Sequence, residues 1–425
     1  MENAFEVLRE RGFVQQVTDE DAVREMFGTG PVTAYIGFDA TASSLHVGNL
    51  FVLMTLVHLE HLGHKPIVVL GGGTTMVGDP SGKTEMRKML ERGDIDVNIN
   101  SFRTQVGRFL DIEGGKTQVV DNAEWLLDLK YVEFLRDIGR HFSVNRMLAA
   151  EAYKQRLERG LSFIEFNYQL LQAYDFLQLC QRYKCTLQMG GDDQWGNIVA
   201  GIDLCRRVAQ TQVHGLTFPL LLNAAGQKMG KTVSGAVWLD AKRFGPYDYY
   251  QYWVNMHDDD VERMLGYFTF LPMEEVRTVS TLQGADLNAA KSVLAYEATV
   301  FVHGEAAANE AHSAAQAAFG SRALPEQVLP SSKIPRGGSA DAAQIPTTNL
   351  SLAALDEGVL LTELLTNTAL ASSKNEARRL IRQNAIKLND RKPEDEKYRV
   401  TIADFVDGRL TLRAGKKKVH RVVLE

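Results

Sequence analysis

VTAYIGFDATASSLHVGN, residues 32–49, decides how the rest of the chain is read. An apolar strand runs from Val32 and stops at a polar turn headed by Asp39, and from Val47 apolar residues recur at helical spacing as far as Leu62. PIVVLGGG repeats the strand-to-glycine pattern. Further alternation follows: TQVVDN near 117–122, helices through Trp125 to Phe142 and Phe163 to Tyr183, the short strand CTLQMGG, and a helix from Asp193. Strands alternating with helices imply an α/β fold, a doubly wound parallel sheet covered on both faces. Ligands of such sheets bind beyond the carboxyl ends of the strands, so the polar and glycine-rich turns found there are where chemistry is expected.

Beyond Thr232 the strand signals fade. Residues 1–232 read as the sheet domain and 233–320 as a helical domain. Residues 321–350, centred on PSSKIPRGGSADAAQIP, read as a linker that buries little apolar surface, and 351–425 as a small compact domain. Composition is that of a soluble globular protein, 45% apolar and 24% charged, and names no function. The net charge of -6 argues against a chain that coats nucleic acid or anionic membrane along its whole surface. Residues 374–425 nevertheless hold 15 Lys and Arg against 8 Asp and Glu, a net +7, which leaves -13 on the remainder. Three cysteines, Cys180, Cys185 and Cys205, form no C-x-x-C pair and suggest neither a disulfide framework nor a zinc site. MENAFEVLRERGF has no apolar signal core, and no stretch approaches the roughly 18 apolar residues of a membrane span; a cytoplasmic protein is expected.

GDPSGKT, residues 78–84, looks like a P-loop, but that motif needs a glycine at position 77, where Val77 stands. FDATASSLHVGN is a better nucleotide site: small residues admit a ligand to the backbone, His46 brings ring nitrogens, and Gly48 leaves room for a purine or ribose. Capping and packing at the start of a helix would use the same residues. KMGKT, residues 228–232, follows the apolar strand LTFPLLL and concentrates two lysines beside glycine, which suits a polyphosphate or simply a solvated loop. In NYQLLQAYDF, Tyr168, Gln172 and Asp175 stand at i, i+4 and i+7 and so project from one face of an otherwise apolar helix. A buried polar stripe is costly unless a ligand satisfies it; a solvent-facing stripe is the alternative.

Together the two loops resemble the paired HIGH and KMSKS signatures of class I aminoacyl-tRNA synthetases. YIGFDATASSLHVGN, NYQLLQAYDF and LQMGGDDQWGNI look specifically like the bacterial-type tyrosyl-tRNA synthetase family, and the likeness covers nearly all the chain. The resemblance implies a Rossmann-like catalytic sheet, then a helical domain and a small α+β RNA-binding domain. Its substrates would be L-tyrosine, ATP and tRNA(Tyr), in a homodimer. It implies that Asp175 and Tyr35 bond the phenolic hydroxyl, that Asp79, Tyr168 and Gln172 receive the ammonium group with Gln194 nearby, and that Gln188 lies beside this pocket. The ATP set would be Gly37, Asp39, His46, Gly48, Asn49, Gly191, Asp193, Lys228, Lys231 and Thr232. Asp193 could serve equally as a helix N-cap. Catalysis would rest on His46, Thr41, Asn49, Lys228 and Lys231 clamping the phosphates, with Mg2+ arriving on ATP and no dedicated protein metal site. Asn49, Ala40, Gly230 and Thr232 depart from the family pattern.

SKNEARRLIRQNAIKLND places Lys374, Arg378, Arg379 and Arg382 on neighbouring faces of a helix, a phosphate-facing surface. This segment resembles an RNA-binding fold shared with a ribosomal small-subunit protein. Two other readings compete: a tryptophanyl-tRNA synthetase, which shares the fold, and a non-catalytic RNA-binding descendant of a synthetase.

Overall fold

The computed structural model describes every residue except 1, 82–89, 150–152, 154–156, 158–159, 233–234, 320–323, 337–345, 356–357, 390, 394 and 416–417, and describes 231, 232, 319, 353, 354 and 418 by backbone alone. Two compact units emerge, the first made of Met1–Thr232, Ala236–Arg243 and Arg263–Met273, the second of Val233–Gly235, Phe244–Glu262 and Glu274–Glu425.

The first unit is built on six strands: β1 (Gln16–Val17), β2 (Thr33–Phe38), β3 (Lys65–Leu70), β4 (Gln118–Asp121), β5 (Leu187–Gly191) and β6 (His214–Phe218). Their spatial order is β1-β6-β5-β2-β3-β4, all parallel except β1, which runs against β6. The chain steps outward from β2 to β4 and then returns to lay β5 on the other side of β2. The winding therefore reverses between β2 and β5, where an open α/β sheet leaves a crevice at its strand ends.

Four helices pack with this sheet, α1 (Val47–His61), α2 (Arg92–Val106), α3 (Phe163–Tyr183) and α4 (Trp195–Leu204), of which α1 and α3 line the crevice. α2 buries Ile95, Ile99, Phe102 and Val106, one stripe at helical spacing. α3 opens on a capping box in which Ser162 and Glu165 satisfy each other's backbone amides, and it closes on Lys184 at φ 57°. Tyr35, Ile67, Val69, Trp125, Phe176 and the three cysteines share one core between sheet and helices. The helical stretch expected from Trp125 to Phe142 consists of three short pieces, Ala123–Leu126, Tyr131–Asp137 and Gly139–His141. Leu127, Tyr131 and Val132 are exposed there, so apolar content was present without one buried face to order a longer helix. The helix expected from Asp193 begins as a single turn, Asp192–Gln194, before α4.

In the second unit α5 (Pro246–Val254), α6 (Gly284–His303) and α7 (Glu305–Phe319) pack around Tyr249, Tyr250, Trp253 and Tyr296. The same unit holds a four-stranded sheet ordered Ile386–Leu388, Arg409–Ala414, Lys418–Leu424, Thr347–Leu350, with α8 (Lys374–Arg382) against its apolar face. The stretch expected to be a loose linker is not uniform. Leu324, Val328, Leu329 and Ile334 are buried, and the Arg336 guanidinium donates to the carbonyls of Val328 and Leu329 at 3.0 and 2.8 Å. Composition hid this because four well-spaced apolar residues suffice to anchor a proline-rich segment.

Candidate active site

Beyond the carboxyl ends of β2 and β5 lies a cleft of about 440 Å³. β2 and the turn after it contribute Tyr35, Gly37, Asp39 and Thr41, and the start of α1 contributes His46, Gly48 and Asn49. Tyr168, Gln172 and Asp175 reach it from α3, Gln188, Gly191, Asp193 and Gln194 from β5 and the following turn, and Asp79 and Lys228 from two further loops. Residues spread over almost two hundred positions thus meet in one cavity. Lys231 and Thr232 form a two-residue strand against Gly235–Ala236, and their side chains lie outside the described part of the structure.

One end of the cleft is a buried polar pair. Asp175 is only 4% exposed; its carboxylate accepts hydrogen bonds from Trp125 Nε1 at 2.7 Å and Asn122 Nδ2 at 2.9 Å. Burial drives its pKa up to about 7, with Asp39 and Asp121 adding to the rise and the two hydrogen bonds opposing it. The Tyr35 hydroxyl is buried and has no hydrogen-bond partner among the described residues; burial and the neighbouring Asp175 raise its pKa. Gln188, register partner of Tyr35 across β2 and β5, likewise has a buried amide oxygen with no partner among the described residues. Orphaned buried groups of this kind cost roughly 1–3 kcal/mol each, which a ligand bearing a hydroxyl would recover.

The middle of the cleft is a hydrogen-bonded chain of side chains. Gln194 Nε2 donates to Asp79 Oδ2 at 2.7 Å, and Asn197 Nδ2 donates to Gln172 Oε1 at 3.0 Å and Gln194 Oε1 at 3.2 Å. Asp79 also accepts the Ser81 amide at 2.9 Å, so it shapes the turn at Pro80 as well as facing the cleft. The Tyr168 hydroxyl donates to Asp39 Oδ2 at 3.3 Å, and Thr74 Oγ1 donates to Asp39 Oδ1 at 2.9 Å. Two carboxylates, Asp39 and Asp79, make this region attractive to a cation.

At the far end His46 caps α1. Its Nδ1 accepts the Asn49 amide at 3.2 Å while Asn49 Oδ1 accepts the His46 amide at 3.0 Å. Asparagine at this departure from the family pattern therefore completes a capping box, and an accepting Nδ1 leaves the ring proton on Nε2, which can donate. The residues that cap α1 are thus also residues that line the cleft. The two signature loops touch: Val47 N donates to Val237 O at 3.0 Å, and Val237 N to Gly230 O at 2.8 Å. Gly230 sits at φ 83°, and a Cβ there would lie 3.3 Å from the Gly48 amide nitrogen, which explains glycine at this second departure. Ala40 is fully buried and its amide donates to Thr75 Oγ1 at 2.9 Å, a bond that a proline in its place could not make. Gly71–Gly73 have a packing reason too: a Cβ at Gly72 would collide with the Asp121 carboxylate, and the Gly73 amide donates to Asn122 Oδ1 at 2.8 Å.

Asn122, Trp125 and Asn197 went unnoticed in the sequence. Asn122 closes TQVVDN at the end of β4, where polar site residues are expected, but nothing local ties it or Trp125 to Asp175, some fifty residues on. Asp193 belongs to the turn before α4, whose cap position is Gln194. On α8 the four basic residues are exposed, and three pair with carboxylates: Lys374 with Glu363 at 2.6 Å, Arg379 with Glu376 at 3.5 Å, Arg382 with Glu396 at 2.9 Å. Exposed pairs are worth roughly 0–1 kcal/mol, so a phosphate can displace them.

A family model described as class I tRNA synthetases (W and Y) matches residues 28–320, and a tyrosine–tRNA ligase C-terminal domain model matches 340–422. The chain is 55% identical over 428 residues to a tyrosine–tRNA ligase of Desulfosudis oleivorans, covering 99% of each, and 53% identical over 425 residues to one of Desulfatibacillum aliphaticivorans, again covering 99% of each. A solved, C-terminally truncated mitochondrial tyrosyl-tRNA synthetase of Aspergillus nidulans superposes with TM-score 0.67 at 30% identity, covering 75% of this chain and 95% of that one. The reversal of the sheet, the buried Tyr35–Asp175 end and these likenesses agree: the chain belongs to the class I tRNA synthetases of the tryptophan and tyrosine group, in the branch of the tyrosine–tRNA ligases.

Proposed function

We infer that the chain activates L-tyrosine with ATP and transfers it to tRNA(Tyr), and that the cleft at the ends of β2 and β5 does both steps. The observation that carries the tyrosine assignment is Asp175, fixed by Trp125 and Asn122 opposite a Tyr35 hydroxyl that lacks a partner among the described residues. A phenol entering there donates to Asp175 and accepts from Tyr35, whereas phenylalanine leaves both unsatisfied. Rejection on the order of 10⁵ is the general figure for enzymes of this class, not one calculated from this site.

In activation the tyrosine carboxylate forms a bond to the α-phosphorus of ATP as the bond to pyrophosphate breaks. The nucleophile arrives ionised, so the protein's work is positioning and charge stabilisation. Asp79, Tyr168 and Gln172, with Gln194, hold the ammonium group. The Nε2–H of His46, the Thr41 hydroxyl and the ammonium groups of Lys228 and Lys231 take the phosphate charge. Gly37, Asp39, Gly48, Asn49, Gly191, Asp193 and Thr232 line the adenosine and phosphate path, and magnesium enters with the triphosphate. In transfer a terminal ribose hydroxyl of the tRNA attacks the adenylate carbonyl and AMP leaves. Residues 1–232 serve these reactions, 233–320 the anticodon side, and the domain after 350 binds RNA through Lys374, Arg378, Arg379 and Arg382. Work in the cytoplasm is supported by the likeness to bacterial tyrosine–tRNA ligases; no helix among the described residues is long and apolar enough to cross a membrane. A homodimer is supported by Tyr131, Val132 and Val144 on the segment between β4 and α3 and Phe163 at the start of α3, 60, 75, 56 and 70% exposed.

Two variants test the site. Asp175→Asn is expected to lose preference for tyrosine over phenylalanine in pyrophosphate exchange, and Lys228→Ala to slow adenylate formation by more than about tenfold with tyrosine affinity little changed. Retained discrimination in the first, or a near-normal rate in the second, overturns the assignment.

A further inference from the structure

The loop that carries Thr41 and His46 has no secondary structure of its own between Asp39 and His46, and its composition is small: Ala40, Thr41, Ala42, Ser43, Ser44. Such a stretch does not hold a fixed shape by itself. Its backbone is instead bonded to one polar stripe of α2. Asn98 Nδ2 donates to the carbonyl of Ala40 at 2.9 Å. One turn on, Ser101 Oγ donates to the carbonyl of Ser43 at 2.8 Å. A further turn on, Gln105 Oε1 accepts both the Leu45 amide at 3.0 Å and Ser44 Oγ at 3.1 Å. Positions 98, 101 and 105 are i, i+3 and i+7, a single helix face that follows the loop for two turns. Gln105 is 4% and Asn98 9% exposed, so these bonds form away from water, where losing a partner is costly. From the outer side Arg243 Nη1 donates to Ser43 Oγ at 3.1 Å while its guanidinium lies 3.6 Å from the ring centroid of Trp238, whose backbone bridges His46.

We propose that Asn98, Ser101 and Gln105 form a brace that positions the Thr41–His46 loop for the phosphates of ATP, with Gln105 its principal member. None of the three lines the cleft. They are positioning residues, acting through the backbone they hold. Gln105 fixes the residue immediately before His46, so its loss lets the cap and the Nε2–H drift. A displacement near 1 Å at a reacting centre costs on the order of 10²-fold in rate, whereas the tyrosine pocket, built on α3, β2 and β5, stays in place. The effect therefore belongs to the ATP half of activation. The proposal rests on the synthetase reading, and the two fail in different ways.

The test uses the full chain. Gln105→Met keeps the volume and removes the acceptor; Gln105→Glu keeps the acceptor. Single-turnover adenylate formation, tyrosine binding without ATP and melting temperature are measured for each. The expected result is a rate about tenfold to a hundredfold lower in Gln105→Met, tyrosine affinity within about twofold of the parent, and most of the rate restored in Gln105→Glu. A Gln105→Met rate within about twofold of the parent overturns the proposal, as does an equal loss of tyrosine affinity or the absence of rescue by glutamate. Should Gln105→Met not fold, Ser101→Ala at the partly exposed middle position decides: slower activation with intact tyrosine binding supports the brace, and an unchanged rate removes it. A parent enzyme that forms no tyrosyl-adenylate sinks the synthetase reading itself.

Discussion

With its carboxyl buried, Asp175 titrates near 7 instead of at its ordinary 3.8, and this has two consequences of opposite sign. Below the ordinary value the group is protonated in folded and unfolded chains alike. Between that value and about 7 the folded state holds the proton more tightly, so the stability this residue contributes is lost as pH rises through that window. Melting temperatures of parent and Asp175→Asn from pH 5 to 8 are expected to show a falling contribution in the parent that the variant lacks. Tyrosine binding runs the other way, because the ionised form accepts the phenol. Affinity is expected to rise roughly tenfold from pH 6 to pH 8, and titration calorimetry showing a flat profile would contradict the assignment. The sequence displayed Asp175 and Tyr35 as candidates through helical spacing and family likeness. It did not display Trp125 and Asn122, because a hydrogen bond between residues fifty apart leaves no local signature. Gly230 is a further case at this scale. Its departure from the family serine reflects a left-handed backbone pressed on Gly48. Gly230→Ala is expected to slow adenylate formation severalfold through strain of about 1 kcal/mol, with tyrosine affinity unchanged in equilibrium dialysis.

Elements were legible where one physical rule dominated. β2, β3, β5 and α3 were read within a few residues because their apolar runs end at a glycine, a polar turn or a cap. The segment 123–142 was not, since Trp125 and Ile138 are buried while Leu127, Tyr131 and Val132 between them face outward, and no one buried face orders the stretch into a single helix. α2 escaped because its polar stripe at 98, 101 and 105 looks like ordinary surface until the loop it holds is seen. The value of a single cap can be measured on α3, which carries Tyr168, Gln172 and Asp175. Ser162→Ala removes the hydroxyl that accepts the Glu165 amide and is expected to cost about 1 kcal/mol in denaturant unfolding with tyrosine specificity retained. A loss within error of zero would mean that packing alone sets where α3 begins.

The whole chain combines an acidic body with a tail of net +7, an asymmetry visible in composition and matched by separate family models for 28–320 and 340–422. The order of parts was legible because the sheet, the helical stretch and the basic end differ in pattern. Their boundaries were less so: Ala236–Arg243 and Arg263–Met273 fold with the sheet unit, Leu239 donating to the carbonyl of Leu45 and Arg11 donating to those of Thr269 and Leu271. No local pattern announces such returns. Truncation after residue 350 is expected to spare adenylate formation and cripple tRNA charging; equal loss of both would give the domain a folding role instead. The claim beneath all of this is that one cleft accepts a phenol at one end and a triphosphate at the other. Amino-acid-dependent ATP–pyrophosphate exchange by the full chain, with tyrosine, phenylalanine and tryptophan side by side, tests it most directly. Exchange driven by tyrosine, with the other two slower by orders of magnitude, is the predicted result; comparable exchange with phenylalanine or tryptophan, or none with tyrosine, would contradict it.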